Sequence, residues 1–106
     1  MARTPKRLAG PAALTTSAAT KYTVPSTTKT IVRHIHAEGA ATGGNLTVSL
    51  GTDGAGTRIF DVYPIAANAV LDHFCYYVLE AAEIIQAFGS TTALTLTIDG
   101  DEITLG

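Results

Sequence analysis

Residues 94–98 read LTLTI and residues 46–50 read LTVSL. In both segments apolar side chains alternate with threonine or serine, which is the pattern of a β-strand with one face on a hydrophobic core and the other in water. Because successive side chains of a strand point to opposite faces, the two segments predict a β-sheet protein. Six further segments are predicted as strands, for about eight in all: residues 21–24, 28–37, 57–63, 70–79, 84–88 and 102–105.

Turn-forming residues separate these segments. They lie at 25–26, 39–45, 51–56, 66–68, 89–92 and 99–101. Glycine, asparagine, aspartate and serine tolerate positive φ or bond their own backbone, so each cluster predicts a turn. No segment has the apolar period of a helix that could cross a parallel sheet. The spacing therefore favours one all-β domain, an antiparallel β-sandwich or jelly roll.

One segment is ambiguous between helix and strand. Residues 78–88 read VLEAAEIIQAF, a composition that suits a helix. Two apolar ends around a polar centre also suit a hairpin, and the all-β context favours the hairpin.

The facing of the strands predicts both a core and a solvated surface. Thr47, Ser49, Thr95 and Thr97 are expected on outward, solvated faces. The predicted core consists of Ile31, Ile35, Leu46, Val48, Leu50, Phe60, Leu71, Ile84, Leu94, Leu96 and Ile98.

Charge is distributed unevenly along the chain. Residues 1–33 carry six basic and no acidic residues, whereas residues 34–106 carry one basic residue and nine acidic ones. A basic segment of this kind is attracted to an acidic surface, such as the remainder of an identical neighbouring chain.

The first residues, MARTPKRLAGP, hold three of these basic side chains and little that could be buried. We interpret residues 1–11 as an extended docking arm and residues 12–106 as the β-sandwich domain, with Arg3, Lys6 and Arg7 as inter-subunit contacts. A disordered tail is the alternative interpretation.

Three histidines are the candidate metal ligands. His34 and His36 are two apart, so on a strand they share a face, and His73 could join them. A pair of histidines at this spacing is more often a polar sheet face than a metal site, so we expect no metal. The loop GTDGAGTR at residues 51–58 lacks the following helix of a phosphate loop and the alternating carboxylates of a calcium loop, and it is interpreted as a turn.

No residue pattern indicates catalysis. There is no G-x-S-x-G motif and no readable pairing of cysteine with histidine or of two carboxylates, so we expect no enzyme activity and no cofactor. The single cysteine, Cys75, excludes an intrachain disulfide and lies in an apolar run, where a small buried side chain is expected. Three basic groups without an adjacent aromatic predict no nucleic-acid binding, and the lack of a long apolar run predicts no membrane insertion.

Three longer segments carry a resemblance when they are taken in order. They read LTTSAATKYTVPSTTKTIVRHIHAEG (14–39), LTVSLGTDGAGTRIFD (46–61) and VLEAAEIIQAFGSTTALTLTIDG (78–100). Over residues 12–100 the chain resembles small virion proteins of tailed bacteriophages. In that group a YTVP segment precedes a strand of the type IV-basic-x-IHV, followed by a G-x-D-x-A-G-T-R turn, an L-x-A-G-E-x-I-x-A hairpin and an LTLTxxG strand. Ala82 departs from this pattern, which tends to have glycine there.

The resemblance implies a non-enzymatic β-sandwich module of the virion, either a capsid decoration protein or a minor tail protein, made in the cytoplasm of the bacterial host. It implies other virion proteins as partners, no cofactor, and a homo-oligomer such as a trimer. The alternative is a host-surface or carbohydrate-binding module, in which the loops at 39–45 and 51–56 would contact a host glycan.

Overall fold

The computed structural model describes residues 2–105, which form eight β-strands in two four-stranded antiparallel sheets. The strands are β1 (Ala2–Ala13), β2 (Ala19–Thr23), β3 (Thr28–Glu38), β4 (Gly44–Leu50), β5 (Arg58–Ile65), β6 (Val70–Leu79), β7 (Ile84–Gly89) and β8 (Thr95–Thr104). The first sheet has the order β1-β8-β3-β6 and the second β2-β7-β4-β5. This interleaved order is that of a jelly roll, so the predicted fold class is confirmed.

The core lies between the two sheets, where the inward residues of each strand meet. Six of the predicted core residues belong to the buried core cluster: Ile35, Leu46, Val48, Leu94, Leu96 and Ile98. Ile31 is also buried, but it lies outside this cluster, opposite Val78 and Asp101 in the strand register. The other four, Leu50, Phe60, Leu71 and Ile84, are only partly buried. They lie in edge strands or at strand ends, where a neighbour is missing on one side.

The predicted solvent-facing side of β4 is wrong. Thr47 and Ser49 are buried, because the chain after β4 folds back over that face of the second sheet. The Ser49 hydroxyl donates to Asp53 Oδ1 at 2.8 Å, and Thr47 Oγ1 accepts from the backbone N–H of Val62 at 3.1 Å. Each buried hydroxyl therefore has a partner.

The two strands predicted at residues 94–98 and 102–105 are one strand, β8. Asp99 and Asp101, interpreted as turn residues, instead bind basic side chains of the neighbouring strands. Gly100 continues the strand at a close approach to β3, where a Cβ atom would lie 2.1 Å from a backbone oxygen. Glycine is common both in turns and in strands where another backbone approaches closely, so the sequence pattern alone could not show that Gly100 lies within a strand.

Residues 78–88 contain no helix. The strand prediction is confirmed, but β6 and β7 belong to different sheets and do not pair with each other, so the hairpin is a turn that joins the two layers. Ala82 occupies this turn with φ of 71°, the left-handed conformation that glycine adopts most easily. Within residues 2–105 there is no helix long and apolar enough to span a membrane.

The segment interpreted as an arm is the edge strand β1. It pairs with β8 from Ala2 opposite Thr104 to Ala13 opposite Thr95, with irregularities on both sides of Ala9. In the single chain the strand runs across the predicted boundary between residues 11 and 12, so no division into arm and sandwich is seen there. Contact between this segment and a neighbouring subunit stays a prediction, and Met1 lies outside the described residues.

Candidate functional site on the outer face of the first sheet

The side of the first sheet that points away from the core carries a group of charged, histidine and aromatic side chains. We call this surface the outer face. It is formed by Arg3, Arg7, Arg33, His34, His36, Asp72, Phe74, Tyr76, Asp99 and Asp101.

Arginines and aspartates form an ion-pair ladder at the β1 side of the outer face. Arg3 donates to Asp101 Oδ2 through Nε at 3.1 Å and Nη2 at 2.7 Å, and Arg33 Nε donates to the same oxygen at 2.8 Å. Arg7 Nε donates to Asp99 Oδ1 at 3.2 Å. The ladder links β1, β8 and β3, so it helps to hold the edge strand on the sheet.

Asp101 is the centre of this ladder. Its side chain is buried although its partners are partly exposed. The hydrogen bonds from Arg3 and then Arg33 outweigh the effect of burial and hold the pKa of Asp101 below its usual value. A buried carboxylate with two guanidinium partners is a satisfied structural ion pair.

Lys6 lies on the opposite side of β1 and binds Glu102 Oε1 at 3.2 Å. Glu102 also accepts from the hydroxyl of Tyr22, which lies 2.7 Å from Thr30 Oγ1. Burial, and next the bond to Glu102, raise the pKa of Tyr22 to about 12, so this phenol stays protonated. Arg3, Lys6 and Arg7 therefore all have acidic partners on β8, and their role between subunits stays a prediction.

A histidine–aspartate cluster lies beside the ladder. His34 Nε2 is 2.9 Å and His36 Nδ1 is 2.7 Å from the same oxygen, Asp72 Oδ1. The shared face predicted for the two histidines is therefore observed. His73 does not join them: it faces the other side of β6, where its Nε2 is 3.1 Å from the Tyr77 hydroxyl.

Neighbouring side chains hold the cluster in place. The His34 ring stacks on Phe74, with ring centroids 4.5 Å apart and an angle of 11° between planes. Its Nδ1 lies 3.7 Å from Asp99 Oδ2. Hydrogen bonds from His36 and His34 lower the pKa of Asp72, which keeps this carboxyl ionised. Sequence spacing missed Asp72 because it is adjacent only through the β3–β6 register, in which it lies opposite His36.

Exposed apolar side chains line the β6 edge of the outer face. Val70, Phe74, Tyr76 and Val78 have relative exposures of 57%, 78%, 63% and 47%. We call these four residues the β6 strip. The guanidinium of Arg33 lies over the Tyr76 ring, 5.3 Å from its centroid, which connects the strip to the ladder. Both faces of β6 are apolar, so alternation in the sequence did not reveal which face was exposed.

The adjacent edge strand, β5, extends the apolar side of the sandwich. Val62 and Tyr63 are exposed, and Phe60 packs edge-on against Tyr63 and His73. Val62 has φ of 52°, an unusual conformation for a β-branched residue, at a break in the β4–β5 register.

The glycine-rich loop at residues 51–58 is closed by its own side chains. Arg58 donates to both carboxylate oxygens of Asp53, through Nε at 3.0 Å and Nη2 at 3.1 Å, and also to Asp61. Arg58 and then Ser49 lower the pKa of Asp53, whose carboxylate is engaged within the loop. Cys75 is half-buried near the Val32 carbonyl, and burial raises the pKa of its thiol, so it is a poor nucleophile.

Comparison with known proteins gives a fold likeness. No protein-family model and no curated protein sequence matches the chain. A solved structure of Bacillus endospore appendages, described as a novel family of disulfide-linked pili, superposes with a TM-score of 0.59. The match covers 98% of this chain and 89% of that chain at 11% identity. At this identity the likeness concerns the fold.

Proposed function

We propose that this protein is a non-enzymatic structural module of a multi-copy assembly, and that the assembly is a tailed-phage virion. In this proposal the module is attached to the capsid as a decoration protein or to the tail as a minor tail protein. The virion assignment rests on the sequence resemblance described above. The proposal that the protein assembles with other subunits rests on an exposed apolar surface of the molecule.

The observation that carries the proposed assembly is the β6 strip. Phe74, Tyr76 and Val78 are consecutive exposed side chains on one face of an edge strand, and Val70 lies on the same face beyond Asp72. Phe74, with 78% exposure, loses most of the benefit of burial in the single chain. A contiguous exposed apolar patch on a small domain usually marks a contact with another protein. The free backbone edge of β6 adds hydrogen-bonding groups that a partner strand could use.

The fold is compatible with this role. The Bacillus appendage protein that shares the fold is described as forming disulfide-linked pili. The present chain has one cysteine, Cys75, which is half-buried with a raised thiol pKa. In our proposal its assembly therefore depends on non-covalent contacts at the β6 strip rather than on disulfides.

The first test combines localisation with a surface variant. An antibody to this chain should label particles purified from the producing host, over the capsid or on the tail, in electron micrographs. The double variant Phe74→Ser with Tyr76→Ser should retain the fold but lose most incorporation into particles. Leu105→Ser, which changes an exposed apolar side chain outside the strip, is the matched control and should be incorporated normally.

Two results would contradict the proposal. Absence of label on intact particles would remove the virion role. Normal incorporation of the double variant would show that the β6 strip is not the contact surface, even if the protein is a virion component.

A glycan-binding role is the second candidate. Phe74 and Tyr76 present exposed rings beside the polar groups of Arg33 and Asp72, an arrangement that can stack a sugar and bond its hydroxyls. This surface differs from the loops expected to bind a glycan, of which the one at residues 51–56 is closed by Asp53 and Arg58. Selective binding on a glycan array that is lost in the double variant would favour this candidate.

A further inference from the structure

The histidine–aspartate cluster brings together two imidazole nitrogens and one carboxylate oxygen, which are atoms that can bind a metal ion as well as form hydrogen bonds. The spacing of His34 and His36 leads us to expect no metal, but the structure adds a third donor, Asp72, and we propose that these three residues bind a divalent transition-metal ion, with Zn²⁺ as the ion that best fits these ligands. This inference is independent of the proposed function, because all three side chains belong to one chain.

The geometry of the three donors suits a small ion. One ligand atom from each residue lies within 4.8 Å of the other two. With bonds of about 2.0–2.1 Å, a tetrahedral ion holds its ligands roughly 3.3 Å apart. The distances from Asp72 Oδ1 to the two histidine nitrogens, 2.9 and 2.7 Å, are slightly shorter than this. To hold an ion, side-chain rotations must lengthen these two distances and set the two histidine nitrogens, which lie within 4.8 Å of each other, at the same spacing.

The chemistry of the donors selects among metals. Two imidazole nitrogens and one carboxylate oxygen suit zinc and related transition metals. Calcium and magnesium prefer shells made of oxygen ligands, which this cluster does not supply. The three side chains are partly exposed, so a fourth ligand position is open to water.

The surroundings provide the support that metal ligands usually have. Asp99 Oδ2 lies 3.7 Å from His34 Nδ1, on the far side of the ring from the nitrogen that faces Asp72. A carboxylate in this position favours the tautomer in which His34 Nε2 is free to bind an ion. Phe74 stacks on the same ring and limits its rotation. The strands hold the other two ligands close together, because His36 and Asp72 are directly opposite in the β3–β6 register.

The test is calorimetric titration of the untagged, metal-free protein with Zn²⁺. We expect one ion per chain and a higher unfolding temperature when the ion is present. Asp72→Asn and His36→Asn should each weaken binding by at least about 10-fold, given the size of effects seen even for residues that only support metal ligands. His73→Gln is the control, because His73 lies on β6 beside Asp72 but on the opposite face of the strand. This variant should bind Zn²⁺ as the unaltered protein does.

Co²⁺ in place of Zn²⁺ supplies a spectroscopic check. Visible absorption bands typical of a four- or five-coordinate nitrogen and oxygen site should appear in the unaltered chain and be lost in Asp72→Asn. The proposal is overturned if Zn²⁺ does not bind below millimolar concentration, or if the Asp72 and His36 variants bind it unchanged. It is equally overturned if Cys75→Ser, rather than the cluster variants, removes binding.

Discussion

The two edge strands of the first sheet, β1 and β6, differ in how their unpaired backbone edges are protected from other chains. Each has one paired neighbour and one free side. β1 carries two prolines, three basic residues matched by acids on β8, and irregularities in its pairing. β6 carries neither proline nor lysine and presents the β6 strip to solvent. Proline and a row of charged side chains keep an edge from pairing with other chains. β6 also has an irregular register with β3 and one acidic residue, Asp72, but it lacks proline, lysine and arginine and exposes the β6 strip, so it is the edge suited to a partner.

The two strands also differ in whether their large apolar side chains are buried in the core or exposed to solvent. On β1 the one large apolar side chain, Leu8, is 8% exposed and belongs to the core cluster. On β6 the larger Phe74 remains 78% exposed. Burial rather than residue size should therefore determine which edge matters for stability.

The largest expected effect follows from that contrast. Leu8→Ala should lower the free energy of unfolding by about 2–3 kcal/mol, because it removes buried methyl groups and leaves a cavity. Phe74→Ala, the matched change on the other edge, should alter it by less than about 0.5 kcal/mol. Urea unfolding of both variants measures the difference. Similar losses for the two variants would break the comparison.

The next effect concerns the charges of β1. Replacing Arg3, Lys6 and Arg7 by Glu places like charges against Asp101, Glu102 and Asp99. We expect a loss of roughly 1–2 kcal/mol at low salt and a smaller loss at high salt, where exposed charges are screened. Thermal unfolding at two salt concentrations tests this, with Lys21→Glu as the control for charge reversal elsewhere. If stability is unchanged at low salt, the ladder does not hold β1.

The same variant bears on assembly. If these residues contact a neighbouring subunit, we expect the triple variant to attach to the virion more weakly at low salt, where charges are least screened. Their partners within the chain mean that the triple variant also weakens β1 itself. Attachment must therefore be compared at salt concentrations where the variant is folded, and unchanged attachment at low salt would contradict the docking role.

Acid sensitivity should follow Asp101. Its folded-state pKa lies below the unfolded value of about 3.9, so its stabilising contribution is present above that value and is lost as pH falls through the folded pKa. Asp101→Asn should cost about 1 kcal/mol at pH 7. The gap between this variant and the unaltered protein should narrow below about pH 4. The midpoints of urea unfolding from pH 7 to pH 3 measure this difference in stability. A difference that does not depend on pH would show that ionised Asp101 is not the source of the acid sensitivity.

The smallest effect is a gain at the turn after β6. Ala82 has φ of 71°, which costs an alanine about 1 kcal/mol, whereas glycine adopts it freely. After the greater chain entropy of glycine is subtracted, Ala82→Gly should raise stability by roughly 0.5 kcal/mol. Ala81→Gly, an exposed neighbour without positive φ, should lower it. A loss in both variants would show that the left-handed turn is not the cause.

Local patterns in the sequence determined much of the fold. Alternation located β4 and the first half of β8 and, with the turn residues, indicated a jelly roll or sandwich. It also placed His34 and His36 on one face, because the two-residue period of a strand is a property of the backbone itself. Residues 70–79 were predicted as a strand with the bounds that β6 has in the structure.

Only the tertiary structure decided which strands are neighbours, and several residues take their role from that. Asp72 replaces His73 as the companion of the two histidines because β3–β6 pairing sets it opposite His36. Thr47 and Ser49 are buried because the chain returns over β4. Residues 2–13 become a strand because β8 supplies both their hydrogen bonds and their counter-charges. Strand period fixes the facing of a side chain, whereas its partners depend on register between segments that are far apart along the chain.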